Sequence, residues 1–241
     1  MEEQEYSQAT GKKEYVRNMF DSIAPRYDFL NHFLSLNIDY LWRKRLIAIL
    51  KTHKPLFILD VATGTADLAI QATTLNPDKI IGLDISEEML KVGQKKLFDK
   101  NKDCIIQLIN ADSENMPFEG GSFDACMVAF GVRNFENLEQ GLREMYRVLK
   151  PNGIVAILEF SKPVNFPVKQ LYNFYFKRIL PVLGKMISKN DNAYMYLPES
   201  VNQFPDGANF AAILANVGFK DVKIKKLTFG IASIYTGMKY L

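Results

Sequence analysis

Apolar positions recur three and four residues apart over the first 55 residues. In KEYVRNMFDSIA, Tyr15, Val16, Met19, Phe20 and Ile23 share one helical face, and Pro25 closes the segment because its ring blocks the preceding turn. Asp39 is the expected cap of a further helix running through Trp42, Leu46, Ile49 and Leu50 toward Pro55. Then the rhythm changes. LFILDV and KIIGLD are short apolar runs ending in Asp60 and Asp84, the pattern of strands buried on both faces. Between them lie the small-residue turn ATGTA and a helix through Leu68, Ala69 and Ala72. Ser86 caps the helix SEEMLKVGQKKLF, with Glu87 and Glu88 placed to favour the positive end of its dipole. CIIQLINA, FDACMVAF and GIVAILEF supply three more strands, and LEQGLREMYRVLK is a helix expected to stop at Pro151-Asn152-Gly153.

Strands alternating with helices of this length predict βαβ units and a parallel sheet. The tail differs: a helix over 206–217 closes at Gly218, and KDVKIKKLTF and IASIYTGMKYL, joined at Gly230, read as two antiparallel strands. The expected architecture is an α/β, doubly wound domain over 55–241 with a helical insertion at 161–205 and a helical extension over 1–54.

Composition narrows the function classes. The 241 residues are 48% hydrophobic and 24% charged, ordinary for a globular chain. A net charge of +3 lacks the basic excess of a nucleic-acid binder. Cys104, Cys126, His32 and His53 are too few for a disulfide scaffold or a Cys/His zinc site, and no metal ligands are assigned. The polar, acidic start is not a secretory signal, and no apolar run reaches the ~20 residues of a membrane span, so a soluble intracellular protein is expected.

The strongest chemical signal is Asp60-Val61-Ala62-Thr63-Gly64-Thr65-Ala66-Asp67 at the carboxyl end of the first strand, where open α/β sheets bind ligands. Asp84 ends the second strand, placed to accept hydrogen bonds from ribose hydroxyls, and Asp112 follows the third, in reach of an adenine amino group. A dinucleotide fingerprint would need three glycines, whereas only Gly64 is present and Asp67 would repel a pyrophosphate. An acidic strand end suits a cationic ligand instead, such as a sulfonium with an amino-acid tail. The plain alternative is a tight turn without a ligand.

These motifs resemble those of class I S-adenosylmethionine methyltransferases, and more closely the MenG/UbiE family of menaquinone and ubiquinone biosynthesis C-methyltransferases. Four blocks carry the resemblance: VRNMFDSIAPRYDFLNHFLSLNIDYLWR, ILDVATGTADLA, NADSENMPFEGGSFDACMVAFGVRNF and YRVLKPNGIVAILEFSKP. The ending FGIASIYTGMK is also similar. The resemblance implies a Rossmann-like seven-stranded sheet, mostly parallel with a C-terminal antiparallel hairpin, under a helical N-terminal lid. It implies S-adenosyl-L-methionine as cofactor, with contacts at Thr65, Asp84, Asp112 and Ser113 and with Asp60 and Gly64 shaping the loop. Ala66 stands where many members have glycine. Ala129 stands where some have serine, so that hydroxyl contact is absent here.

The implied reaction moves a methyl group to a ring carbon of a polyprenylated quinol: demethylmenaquinol, or alternatively the ubiquinone precursor 2-polyprenyl-6-methoxy-1,4-benzoquinol. An electron-rich ring is needed, so the enzyme must favour loss of a quinol proton. Arg133 and Asn134, after the fourth strand, are the leading catalytic candidates. Arg133 stays protonated and can stabilise a quinolate, or pair with Glu136 or Asp124 in a purely structural role. Asp28, between Tyr27 and Asn31 in the lid, is a candidate for binding a quinol hydroxyl. His32 is weighed as a packing residue first.

The insertion is strongly aromatic: Phe166, Leu171, Tyr172, Phe174, Tyr175, Phe176, Ile179 and Leu180, accompanied by Lys169, Lys177, Arg178 and Lys185. It reads as a greasy entrance for a polyprenyl tail in peripheral contact with the inner face of the cytoplasmic membrane, the other readings being a homodimer interface or an ordinary buried helix. Lys185, Lys189 and Asn190 are candidates for a mobile gate.

Overall fold

A computed structural model describes residues 11–35, 37–175, 178 and 192–241, apart from the side chains of 30, 33, 34 and 192–195. The expectations placed on Phe176, Lys177, Ile179, Leu180, Lys185, Lys189 and Asn190 lie outside these residues.

Helix α1 (Lys12–Ile23) ends where Pro25 forces a 3-10 turn, and α2 (Tyr27–Leu34) follows. Helix α3 (Ile38–Leu50) leads to strand β1 (Phe57–Val61). Then come α4 (Asp67–Ala72), β2 (Lys79–Asp84), α5 (Glu87–Asp99), β3 (Ile106–Asn110) and β4 (Phe123–Ala129). Helix α6 (Leu138–Val148) precedes β5 (Leu149–Phe160). The described tail comprises α7 (Val168–Phe174), α8 (Asn192–Gln203), α9 (Ala208–Val217), β6 (Lys220–Leu227) and β7 (Ala232–Met238).

The seven strands form one sheet in the order β3-β2-β1-β4-β5-β7-β6. The first five are parallel, and β7 pairs antiparallel with both β5 and β6. Alternation along the strands sends side chains into two cores. Ile58, Ile80, Met127, Ala156 and Ile234 meet Trp42, Leu46 and Leu50 of α3 on one face. Leu59, Leu83, Val128, Ile157 and Tyr235 meet Leu142, Met145, Phe210 and Leu214 of α6 and α9 on the other. Helix α3 is therefore part of the sheet's packing.

Two sequence expectations need correction. Asp39 does not cap α3. Asn37 holds the N-cap position, while Asp39 lies inside the first turn, buried against Arg43. Helix α6 stops at Val148, before Pro151 is reached. Leu149 already pairs with Phe123, and the register then skips to Ala125–Ile154, so Lys150–Gly153 bulge from the strand. The backbone before a proline avoids the helical region, which favours this early exit.

The edge strand β6 exposes Lys220, Lys223, Lys225 and Lys226. Among the described residues, no helix is long and apolar enough to cross a membrane.

Candidate active site

The loop after β1 is folded by its own polar groups. Asp60, 1% exposed, accepts a 2.6 Å hydrogen bond from the Thr63 hydroxyl. Burial pushes its carboxyl up to about 7. Ala62, Gly64 and Ala66 all take left-handed backbone (φ 52°, 56° and 68°), which wraps the chain tightly round the strand end. Ala66 thus adopts the conformation a glycine would take most easily. The Gly64 amide donates to Asp84 Oδ2 at 2.8 Å, and the Ser86 amide to Oδ1 at 2.9 Å. Burial raises the Asp84 pKa against the opposing effect of these amides.

Gly64, Asp84, Asp112 and Ser113 line one cleft with Ala129, Phe130 and Asn134. Lys13 of α1 closes over it, 2.7 Å from Asp112 and 3.4 Å from Glu114. The enclosed space is about 70 Å³, below the ~300–1,000 Å³ of typical ligand pockets. A nucleoside ligand therefore requires α1 and Lys13 to move outward.

Thr65 and Asp28 are not on this cleft wall. The Thr65 hydroxyl, in a residue 2% exposed, donates to Asp28 Oδ1 and accepts from Lys96 at 3.0 Å. Lys96 in turn lies 2.6 Å from Asp28 and 2.7 Å from Asp67. Asp28 thus ties α2 to the loop after β1, its two oxygens held by Thr65 and Lys96. His32 joins the same polar seam: Nδ1 is 3.0 Å from Asp39 and Nε2 3.5 Å from Asp67.

A second cavity of about 430 Å³ opens beside the cleft, walled by Trp42, Phe130, Phe160, Leu171, Tyr172 and Phe229 among others. Arg133 reaches its wall with a side chain only 7% exposed. Nη1 donates to Glu159 Oε1 at 2.8 Å and to the Phe130 carbonyl, and the guanidinium lies 5.4 Å over the Phe160 ring. Arg133 Nε is buried without a partner. Asn134 accepts a 3.1 Å hydrogen bond from the Tyr196 hydroxyl and faces the first cleft. The Arg133 partners weighed from sequence are occupied elsewhere: Asp124 holds Lys150 and the amides of Leu56 and Phe57, and Glu136 accepts from the Lys13 amide.

Glu159, fully buried at the end of β5, was missed. Its signal was a lone acid in the apolar run GIVAILEF. Burial raises its pKa and Arg133 pulls it back. Lys13 and Lys96 carried no signal, since surface lysines of amphipathic helices look the same.

The sequence profile of the ubiE/COQ5 methyltransferase family matches residues 8–239. The chain belongs to that family. Among its relatives in the ubiE/COQ5 family, the demethylmenaquinone methyltransferase of Bacteroides fragilis is 47% identical over 97% of this chain and 96% of its own. The ubiquinone/menaquinone biosynthesis C-methyltransferase UbiE of Geotalea daltonii is 47% identical over 95% of this chain and 98% of its own. Solved structures share the ubiE/COQ5 chain's fold at low identity. An S-adenosyl-L-methionine-dependent methyltransferase from Aquifex aeolicus superimposes with a TM-score of 0.55 at 18% identity, covering 76% of this chain and 81% of that one. The Haemonchus contortus phosphoethanolamine N-methyltransferase 2, solved with S-adenosyl-L-methionine, gives 0.59 at 16% identity over 82% and 53%.

This ubiE/COQ5 protein is an S-adenosyl-L-methionine-dependent methyltransferase, and the lining of the first cleft carries polar groups suited to that cofactor once α1 and Lys13 move outward. It offers the Asp84 carboxylate at one strand end, Asp112 and Ser113 at the next, and close backbone approach at Gly64. A Cβ on Gly64 would come 3.9 Å from the Tyr27 ring and force left-handed strain, so glycine keeps that approach open.

Proposed function

We propose that this protein transfers the methyl group of S-adenosyl-L-methionine to a ring carbon of demethylmenaquinol, giving menaquinol. The observation that carries the reading is the apolar cavity adjoining the acidic cleft, with a buried arginine at its wall. Relatives named for demethylmenaquinone support the acceptor. Relatives named for both ubiquinone and menaquinone biosynthesis leave the polyprenyl methoxybenzoquinol as the second reading.

Asp84 would hold the ribose hydroxyls of the donor, and Asp112 and Ser113 its adenine side. The donor supplies a methyl group on a positively charged sulfur that leaves as a neutral thioether. The aromatic lining of the second cavity orients the acceptor ring and keeps water away, and such alignment lowers the barrier by several kcal/mol. Arg133 stabilises the oxygen anion formed when the quinol loses its proton, and Nε is a donor not already spent. As the new carbon–carbon bond forms, the carbon–sulfur bond breaks and the ring becomes a neutral dienone; its methylated carbon then gives up a proton to solvent and the quinolate oxygen regains one, so the quinol forms with one proton released per turnover.

Cytoplasmic residence with contact at the membrane's inner face belongs to the same reading. Phe166 and Phe229, each 81% exposed, and Leu171 and Phe174, 64% and 58% exposed, present apolar surface; Leu171 and Phe229 also line the cavity. A polyprenyl tail entering there would stay anchored in lipid.

Incubation with labelled S-adenosyl-L-methionine and each of the two quinols tests the reaction. Transfer to demethylmenaquinol supports it, transfer only to the benzoquinol selects the second reading, and transfer to neither rejects both. Co-sedimentation with anionic vesicles tests the membrane contact; a Phe166→Ser/Phe229→Ser variant binding as well as the parent would reject it.

A further inference from the structure

The charged side chains on the described wall of the apolar cavity are Asp39, Arg43 and Arg133. Neither arginine stands there as a lone cation. Arg43 Nη1 lies 2.6 Å from Asp39 Oδ2, and both side chains are nearly excluded from water. Arg133 Nη1 lies 2.8 Å from Oε1 of Glu159, which is fully buried and stands behind the wall rather than on it. Two guanidinium groups therefore border the acceptor space, each cancelled by a buried carboxylate.

Glu159 precedes Phe160 of the wall at the end of β5. The groups that meet its oxygens are donors. Oε1 accepts from the Phe160 amide at 2.9 Å as well as from Arg133, and Oε2 faces the Arg133 amide at 3.4 Å. Burial opposes the charge of Glu159, but a guanidinium and two amides favour the carboxylate. The other ionisable groups acting on the pair are Lys12 of α1, Tyr27 of α2, Tyr172 of α7, Tyr196 of α8 and Tyr235 of β7, and none is a carboxylic acid. Arg133 Nη1 is spent on Glu159 and the Phe130 carbonyl, whereas Nε is buried without a partner. Nε thus offers a hydrogen bond without a surplus charge.

We propose that Glu159 is a positioning and specificity-determining residue: by holding Arg133 and cancelling its charge, it makes this cavity accept an uncharged aromatic hydroxyl compound and turn away an aromatic carboxylate. An anion drawn out of water recovers its desolvation cost only against a cation that is not already matched. The inference rests on the reading of this cavity as the acceptor site and adds to it the residue that sets the acceptor's charge class. The quinolate is then formed in place, beside the donor's positive sulfur and the Nε hydrogen bond, rather than captured from solution.

Trp42, the single tryptophan of the chain, lines the cavity, so its fluorescence reports occupancy. Titration at about pH 7 with 4-butylphenol and 4-butylbenzoate compares a neutral and an ionised probe of similar size. The wild type should bind the phenol at least ~10-fold more tightly than the benzoate. Glu159→Gln keeps an acceptor for Arg133 and Phe160 but leaves the guanidinium unmatched. Its affinity for the benzoate should rise at least ~10-fold, while that for the phenol stays within about threefold. A residue that only shaped the wall would alter both probes alike. Equal binding of the two probes by the wild type, or no binding of the phenol, overturns the inference without any substitution. A Glu159→Gln variant that keeps the wild-type preference overturns it as well. A wild type that shows this preference yet methylates neither quinol would overturn the proposed function and leave the charge discrimination standing.

Discussion

Arg133 Nη1 lies 2.8 Å from Oε1 of Glu159, a carboxylate with no exposure to solvent. The two form a buried pair at the junction of β5 and the loop after β4, and the cation half borders the acceptor cavity. Arg133→Lys keeps a positive charge for Glu159 but loses Nε and the planar fork. Turnover should fall by ~10²-fold, with donor affinity little changed. Steady-state rates and calorimetry on the same preparation decide it; equal turnover would remove Arg133 from the chemistry. Arg133→Ala should also cost about 3–5 kcal/mol of stability, because it strands Glu159 without its cation.

Asp84 binds two backbone amides and lines the acidic cleft. Asp84→Ala should weaken donor binding by at least ~10-fold, since charged hydrogen bonds contribute about 1.5–3 kcal/mol each. Calorimetric titration measures it. An unchanged affinity would place the ribose elsewhere.

Asp60 makes stability depend on pH in a defined direction. Its folded pKa, about 7, lies above the ordinary carboxylate value. The folded state therefore holds a proton that the unfolded chain has lost, and stability falls as pH rises from about 4 to about 7. The contribution is of order 3–4 kcal/mol. Asp60→Asn keeps an acceptor for Thr63 and removes the titration. Urea midpoints should show the variant gaining on wild type between pH 5 and pH 8. A constant difference would mean Asp60 is charged throughout.

Asp39 and Arg43 are nearly excluded from water, with side chains 4% and 6% exposed and 2.6 Å apart. Asp39→Ala should cost about 3–5 kcal/mol, read as a lower urea midpoint, because Arg43 keeps only the more distant Asp67 at 3.7 Å. A loss below about 1 kcal/mol would show that Asp67 moves in to replace it.

The strands and their acidic ends were legible because a buried parallel strand must be apolar along its length, so Asp60 and Asp84 mark where it meets the ligand face. Gly64 and Ser86 were readable through backbone demands of the same kind. Asp39 was misread because a carboxylate near a helix start resembles a cap whether it faces amides or an arginine four residues on. Thr65 and Asp28 sit in the right motifs, yet they face each other and Lys96, and no local spacing records a contact 37 residues apart. Tyr27 was visible only as an aromatic residue of the lid. Its place between two cavities comes from how α2 packs against the loop after β1.

The lysines along β6 guard an open flank. That strand closes the β3-to-β6 order, so one row of its amides and carbonyls has no neighbour within the sheet. Four ammonium groups in eight residues would be brought against their own copies if two molecules tried to zip together there. The protein should stay free of fibrillar growth along this border even when crowded.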